Sequence, residues 1–280
     1  MLVHIKEIIK KAQVGKYAVG AFNTFNLETT LAIVRAAEKK DSPVIIQITE
    51  STIKYAGLKN IFSIIKTISN NSKVPVAVHL DHGKSLKIIK KCIKLGFSSV
   101  HFDGSELSYK NNLKLTLKTA KYANKRGVWV QGELGNILGK KDINQKNLKD
   151  IEKYLTDPEE AQEFVKQTKI NTFAPSVGTL HGMYKGKEKI NQELLKKISG
   201  KIKLPIVLHG ASGVSDNDIQ QAIKNGVRII NIDTRLRKEF TQTLKQTLKG
   251  SKEIDPRKIL TPEIKAIQKA VEEKITLFNL

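Results

Sequence analysis

An alternation of short β-branched runs with longer amphipathic stretches, repeated eight times, is the feature that most constrains the fold. Each short run fits a buried strand, and each longer stretch carries apolar residues at helical spacing. The predicted strands are Ala18–Asn23, Pro43–Thr49, Val74–Asp81, Ser98–Ser105, Val128–Gly135, Asn171–Gly178, Leu204–Gly210 and Val227–Asp233. The predicted helices that follow them are Glu28–Lys39, Asn60–Asn70, Ser85–Lys94, Asn112–Lys125, Pro158–Thr168, Gln192–Ile198, Asp216–Lys224 and Thr234–Leu248.

Eight strand–helix units in a chain of 280 residues predict an α/β fold, the closed (β/α)8 or TIM barrel, which takes roughly 250 residues. A doubly wound open sheet is the alternative, but it normally has about six strands and a Gly-rich dinucleotide fingerprint after the first. No such fingerprint follows the first predicted strand. We therefore expect one barrel domain over residues 1–280. It begins with an amphipathic helix around Ile5–Ile9 and ends in a helical extension over 258–280, with a helix from Pro262 to Ile275.

Polar side chains follow nearly every predicted strand. In this architecture the carboxyl ends of the strands carry the chemistry. Three histidines, His82, His181 and His209, follow three different strands, each next to a glycine. A single histidine is more often structural, but three imidazoles at equivalent positions with an open fourth place are typical of catalytic zinc. We therefore predict a metal site at this rim.

The remaining histidines are given other roles. His79 and Asp81 are two residues apart on one strand and face the same way, into the barrel. This spacing predicts an acid at the rim and a packing or hydrogen-bonding histidine one layer deeper. His4 and His101 show no comparable placement, and we expect them to be structural or surface groups.

The turn His209–Gly213 favours an anion, because its glycines let backbone N–H groups approach closely and a helix N-terminus follows. Together with Asn231–Thr234 at the adjacent strand end, it predicts a phosphate pocket beside the metal. A Schiff-base mechanism would need a desolvated lysine on a strand. None of the lysines falls within the eight predicted strands.

The charge is strongly positive, with 49 Lys and Arg against 27 Asp and Glu. The basic residues are almost all lysines scattered along the chain, and aromatic residues make up only 6%, so nucleic-acid binding is not favoured. A positive field would speed the arrival of phosphorylated substrates. The single cysteine, Cys92, excludes an internal disulfide, and no apolar run approaches the roughly 18 residues of a membrane span. We expect a cytoplasmic protein with no membrane or nucleic-acid partner.

These motifs, in this order, resemble the class II, zinc-dependent fructose-bisphosphate aldolases and their tagatose-bisphosphate aldolase relatives. The segments that carry the resemblance are Ala21–Asn23, His79–Gly83, Phe102–Ser105, Glu133–Gly135, Gly178–Tyr184, Leu204–Gly213, Asn231–Thr234 and Asp255–Lys258. The resemblance implies that His82, His181 and His209 bind a catalytic Zn²⁺ and that Asp81 exchanges a proton with the C4 oxygen of the sugar. It also implies a second, non-catalytic cation at Asp103 and Glu133.

The resemblance further implies the substrates and their contacts: a sugar bisphosphate and the triose phosphates. The implied substrate-binding residues are Asn23, Gly182, Gly210, Ala211, Ser212, Asn231, Ile232, Asp233 and Thr234. Arg257 becomes a candidate for the distal phosphate, reached across the interface of a homodimer or larger oligomer. A mobile active-site loop is expected over 136–156, where Lys140 and Lys141 stand at places that are acidic in many relatives. Which acid handles the C3 proton is left open, with Asp142 as one option.

Three readings compete with fructose-1,6-bisphosphate aldolase. A tagatose-1,6-bisphosphate aldolase would tend to have alanine where this chain has Asp233, which favours the fructose enzyme. A metal-dependent hydrolase on the same fold commonly carries a His-x-His pair on its first strand, and this strand has none. A basic nucleic-acid-binding protein on an inactive barrel would bind in a strongly salt-dependent way and retain no zinc.

Overall fold

Eight parallel strands close into a barrel in chain order in the computed structural model, which describes residues 1–139, 152–182 and 189–279. The strands are β1 Val19–Asn23, β2 Val44–Ile48, β3 Val76–Gly83, β4 Ser99–Phe102, β5 Trp129–Leu134, β6 Thr172–Pro175, β7 Ile206–Leu208 and β8 Val227–Ile232. The helices are α1 Ile5–Gly15, α2 Leu27–Lys39, α3 Glu50–Ala56, α4 Leu58–Asn70, α5 Leu86–Leu95, α6 Tyr109–Asn124, α7 Pro158–Thr168, α8 Gln192–Lys201, α9 Asp216–Lys224, α10 Thr234–Leu248 and α11 Pro256–Phe278. The predicted (β/α)8 barrel is confirmed.

Several element boundaries differ from the prediction. Strands β4, β6 and β7 end earlier than expected, because the residues beyond them already form the turns of the rim. Helix α3, which directly follows β2, was not predicted. Helix α11 begins at Pro256 rather than Pro262, since Asp255 accepts the N–H of Arg257 at 3.0 Å and Pro256 stands at the first helical position.

Helix α1 confirms the predicted amphipathic segment and packs its apolar face against the barrel interior. Ile5, Ile8, Ile9 and Ala12 are buried together with inward-facing strand residues such as Ala77. His4 caps the helix by accepting the backbone N–H of Lys6 at 3.0 Å. An apolar cluster thus fills the interior beneath the polar rim residues.

A second, larger apolar cluster lies between the barrel and its surrounding helices. Helix α11 packs along α2 and α10, and the carbonyl of Phe278 accepts the N–H of Ala18 just before β1. None of the helices in the described ranges is both long and apolar enough to cross a membrane. The packed helices thus hold in place the strand ends that carry the rim side chains.

Candidate active site

One cavity at the rim collects most of the residues predicted from the sequence. It has a volume of about 180 Å³. Its lining residues are Asn23, Thr49, Asp81, His82, His181, Gly182, His209, Gly210, Ser212, Asn231, Asp233 and Thr234. Thr49, at the end of β2, is the one member that the sequence analysis did not single out.

The three predicted histidines converge. The ring centroid of His82 lies 4.8 Å from that of His209 and 5.2 Å from that of His181, and the latter two are 6.0 Å apart. Nδ1 of His209 is 3.2 Å from Nε2 of His82. Two nitrogen ligands of a tetrahedral zinc, each about 2.0–2.1 Å from the ion, stand about 3.3–3.4 Å apart. The donor atoms of His82 and His209 therefore have the spacing of two ligands on one such ion. His181 is brought to them by its ring distances, but it is not in either group of described side chains whose potential ligand atoms all lie within 4.8 Å of one another.

His82 is oriented by its neighbours. Its Nδ1 lies 2.8 Å from Oδ2 of Asp103, a carboxylate–histidine contact of the kind that directs a metal ligand. When the ring is neutral, a hydrogen held on Nδ1 leaves the electron pair of Nε2 facing His209. Burial opposes protonation of the ring, but the charge of Asp81 and the bond to Asp103 outweigh it and raise the pKa of His82 to about 10.

The backbone of His82 is irregular as well. Its φ is +49°, the left-handed region that a residue other than glycine rarely adopts. The pairing of β3 with β4 shifts register between Leu80 and Gly83, so β3 contains one residue more than β4 at this point. This bulge turns the His82 ring toward the cavity.

His209 is buried and neutral. Burial, followed by the charges of His82 and His101, keeps its pKa well below the usual value. The side-chain amide of Gln131 lies 2.7 Å from its Nε2, and Nδ2 of Asn231 lies 3.3 Å from the same atom. An amide presents either a donor or an acceptor depending on its rotation, so this contact is compatible with either tautomer of the ring.

Asp81 is a buried carboxylate held by amides. Nδ2 of Asn23 donates to its Oδ2 at 3.0 Å, and Nδ2 of Asn231 donates to its Oδ1 at 3.4 Å. Nε2 of Gln47 donates in turn to Oδ1 of Asn23 at 2.6 Å, which fixes the amide of Asn23 with its N–H groups toward Asp81. Burial alone would raise the pKa of Asp81, but the charge of His82 and the Asn23 bond lower it. The group is therefore an ionised base at neutral pH.

His101 occupies a place that the sequence analysis missed. Of the two roles expected for it, structural or surface, it has the structural one: it is fully buried, and its ring centroid lies 4.9 Å from that of His82, a position that was not predicted. Its Nε2 is 3.5 Å from Oε2 of Glu133, and neither atom has a hydrogen-bond partner among the described residues. Burial, followed by the charge of His82, lowers the pKa of His101 to about 3. Burial, followed by the charge of Asp103, raises the pKa of Glu133 to about 8.

Asp103 and Glu133 line a second cavity on the other side of His82 and His181, with a volume of about 590 Å³. Within the described ranges, two groups of side chains place potential ligand atoms within 4.8 Å of one another. These groups are Asp81, His82, His101 and His209, and His82, Asp103 and Glu133. The loop predicted over 136–156 contributes Asn136, Ile137 and Gly139 to this cavity; Lys140, Lys141 and Asp142 lie outside the described residues.

The turn after β7 has the form expected of an anion site. Gly210 is left-handed with φ +68°, and a Cβ there would lie 2.7 Å from the carbonyl oxygen of Leu180, so only glycine fits. Ala211–Gly213 form a single 3-10 turn. Gly182, Ser212 and Thr234 line the same side of the cavity as Gly210. We call these four residues the glycine cradle.

Three predicted substrate contacts stand apart from the cavity lining. The Ala211 and Ile232 side chains are buried in the apolar cluster beneath the helices, because each points away from the rim. Arg257 begins α11 with a side chain that is 90% exposed and paired with Asp255 at 2.8 Å. In its own chain Arg257 is therefore not part of the cavity lining.

Comparison with known proteins shows which family this chain belongs to. The family described as "Fructose-bisphosphate aldolase class-II" matches residues 3–280. The fructose-bisphosphate aldolase of Geobacillus stearothermophilus is 40% identical over 99% of this chain and 97% of its own length. That of Thermus caldophilus is 38% identical over 100% of this chain and 98% of its own length.

Solved structures similar to this chain are also aldolases. The YdjI aldolase from Escherichia coli K12 superposes with a TM-score of 0.88 at 30% identity, covering 99% of this chain and 97% of that one. The Campylobacter jejuni fructose-bisphosphate aldolase gives a TM-score of 0.81 at 27% identity, covering 99% and 95%. The resemblance inferred from the motifs is thereby confirmed, and the chain belongs to the class II fructose-bisphosphate aldolase family of metal-dependent enzymes.

Proposed function

We propose that the protein cleaves fructose 1,6-bisphosphate reversibly into dihydroxyacetone phosphate and glyceraldehyde 3-phosphate in the cytoplasm, with Zn²⁺ as its catalytic ion. The observation that carries this proposal is the convergence of His82, His181 and His209 beside the ionised carboxylate of Asp81, in a cavity that also contains the glycine cradle. These parts supply a metal site, a base and an anion site within one cavity.

His82, His181 and His209 would hold the ion, with Asp103 orienting His82. When bound, zinc supplies Lewis-acid stabilisation of the negative charge that develops on the substrate oxygens. Glu133 and Asp103 face the second cavity, and we assign to them the second, non-catalytic cation.

Asp81 acts on the C4 hydroxyl group in the proposed mechanism. In the cleavage direction its carboxylate removes the hydroxyl proton as the C3–C4 bond breaks. In the condensation direction the same group, now protonated, returns that proton to the new C4 oxygen. Asn23 and Asn231 hold the carboxylate in place, and the lowered pKa keeps it ionised before each cleavage step.

Phosphate binding is assigned to the glycine cradle. The backbone of Gly210, Ala211 and Ser212 would face the phosphate of the dihydroxyacetone half, and the N-terminus of α10 adds a favourable dipole at Thr234. Arg257 is exposed in its own chain, so we assign it to the distal phosphate of a neighbouring subunit in a homodimer.

Asp233 supports fructose over tagatose bisphosphate. It lines the cavity, and its Oδ1 is buried without a hydrogen-bond partner among the described residues, while Oδ2 pairs with Arg237 at 2.7 Å. A buried acceptor at this place is available to a substrate hydroxyl group near C4. Cleavage rates measured on both sugars test the choice, and faster cleavage of tagatose 1,6-bisphosphate would overturn it.

The central experiment is a coupled assay of triose phosphate release from fructose 1,6-bisphosphate, run on metal-stripped and zinc-restored protein. Stripping should abolish activity and zinc should restore it. Borohydride added during turnover should trap no covalent adduct, since no Schiff base forms. An enzyme that resists chelators and is inactivated by borohydride would refute the mechanism.

A further inference from the structure

The metal ligand His82 depends on a bond that the regular barrel does not provide. Its left-handed backbone lies at the bulge of β3, where the ladder to β4 is interrupted between Leu80 and Gly83. At this interruption the backbone N–H of His82 donates to Nδ1 of the His101 side chain at 3.3 Å. A ring nitrogen thus accepts a bond that a backbone carbonyl would accept in an unbroken ladder.

The other side of the same ring faces Glu133. A neutral imidazole that accepts a hydrogen bond at Nδ1 carries its hydrogen on Nε2. Nε2 of His101 lies 3.5 Å from Oε2 of Glu133, both atoms are buried, and neither forms a hydrogen bond within the described part of the chain. The fixed tautomer points a donor at a carboxylate oxygen that lacks one.

We propose that His101 is a positioning residue that links three strands: through Nδ1 it holds the His82 backbone on β3 in its metal-binding conformation, and through Nε2–H it aims the Glu133 carboxylate on β5. His101 itself is not a metal ligand here, since an Nε2 that coordinated an ion would have to move its hydrogen to Nδ1, where the N–H of His82 already points. This inference rests on the proposed zinc site.

Three substitutions separate the two contacts. His101→Asn keeps an acceptor near the place of Nδ1 but withdraws from Glu133. His101→Gln keeps a donor near the place of Nε2 but loses the acceptor for His82, and His101→Leu loses both. Outer-shell partners of metal ligands typically contribute about 10- to 100-fold in metal affinity. We expect zinc affinity to fall by that factor in H101L and H101Q and by less than about threefold in H101N.

Zinc affinity is measured directly, by competition with a chromophoric chelator on the full-length protein. The visible spectrum of the Co²⁺-loaded protein provides a second readout, because its bands report ligand geometry. They should shift in H101L and H101Q and remain in place in H101N. The control is His4→Gln at the α1 cap, which should lower thermal stability without changing either readout.

The outcomes distinguish this inference from the proposed function. Unchanged zinc affinity and an unchanged Co²⁺ spectrum in H101L, with normal zinc binding by the wild type, would overturn the role of His101 and leave the aldolase proposal intact. H101N as impaired as H101L would also overturn it, because the His82 contact would then not be the important one. A wild-type protein that binds no zinc would overturn both.

Discussion

In the proposed zinc site, replacing Asp103 by asparagine should convert His82 from a metal ligand into a ring that repels the ion. Oδ1 of Asp103 accepts the backbone N–H of Ser105 at 3.1 Å and its hydroxyl group at 2.7 Å, while Oδ2 faces Nδ1 of His82 at 2.8 Å. The two Ser105 donors require an oxygen at the Oδ1 position. In D103N the new amide nitrogen would therefore take the place of Oδ2 and present a donor to His82.

The consequence for the ring follows from its tautomers. Facing a donor, Nδ1 of His82 must accept, so the hydrogen moves to Nε2, the atom that lies 3.2 Å from Nδ1 of His209. The electron pair needed for the ion is lost. Outer-shell substitutions cost about 10- to 100-fold in metal affinity, which corresponds to about 1.4–2.7 kcal/mol. We expect D103N at the upper end of this range, and Asp103→Ala at the lower end because alanine does not force the wrong tautomer.

The assay is zinc competition against a chromophoric chelator, with the thermal unfolding of the metal-free proteins measured in parallel. Glu106→Gln is the matched control. Glu106 lines the same second cavity, but its side chain is 73% exposed and pairs with Lys84 rather than His82. Zinc affinity in E106Q should be close to wild type. If D103N binds zinc as tightly as the wild type, or if D103A binds it as weakly as D103N, the tautomer argument is wrong.

Three further outcomes are expected. The metal-free His82 ring has a pKa of about 10, so it is protonated from pH 6 to 8 and must release that proton when zinc binds. Zinc affinity should therefore rise about tenfold per pH unit in a titration over this range. Gly210→Ala, with a Cβ 2.7 Å from the oxygen of Leu180 at φ +68°, should lose about 1–3 kcal/mol in denaturant unfolding together with most activity; an unchanged midpoint contradicts this. Burial raises the pKa of Cys92 to about 12, so mass spectrometry should find it alkylated by iodoacetamide only after unfolding.

The periodic pattern of the sequence was sufficient to predict the barrel and its rim. Each strand is buried on both faces and each helix on one, so the strands appear in the sequence as short continuous apolar runs and the helices as longer stretches with apolar residues at helical spacing. Once the strands are placed, the barrel requires that the residues after them share one rim. This is why His82, His181 and His209, which are far apart in sequence, could be predicted to meet.

The ends of elements could not be predicted as well, because they depend on tertiary contacts. Phe102 and Asp103 are adjacent in sequence, yet the strand stops between them and Asp103 turns to bind His82 and Ser105. Helix α11 shows the reverse case. The sequence contained its start signal, Asp255 followed by Pro256, but we placed the start of the helix at Pro262. A proline can also lie within a helix, and Pro262 does so here.

His101 was missed for an identifiable reason. It stands two residues before Asp103, the same spacing that assigned His79 and Asp81 to one side of their strand, so the sequence did contain a signal for its orientation. The sequence contained no signal for the bulge in β3, since no residue type at Leu80–Gly83 requires an extra residue there. Without the bulge the backbone N–H of His82 would have an ordinary ladder partner, and the ring of His101 would have nothing to accept at Nδ1.

The irregular backbone at His82 therefore explains why this proposed metal ligand depends on so many neighbours. A residue other than glycine at φ +49° costs of order 1–3 kcal/mol and persists only where the surroundings fix it. Here the surroundings are Asp103, which contacts the ring and directly follows β4, and His101, which lies in β4 and contacts the backbone. One segment, His101–Asp103, thus sets both the direction of the His82 ring and the conformation of its backbone. A change at either His101 or Asp103 should therefore affect the proposed metal site, even though neither is among the three histidines that meet in the cavity.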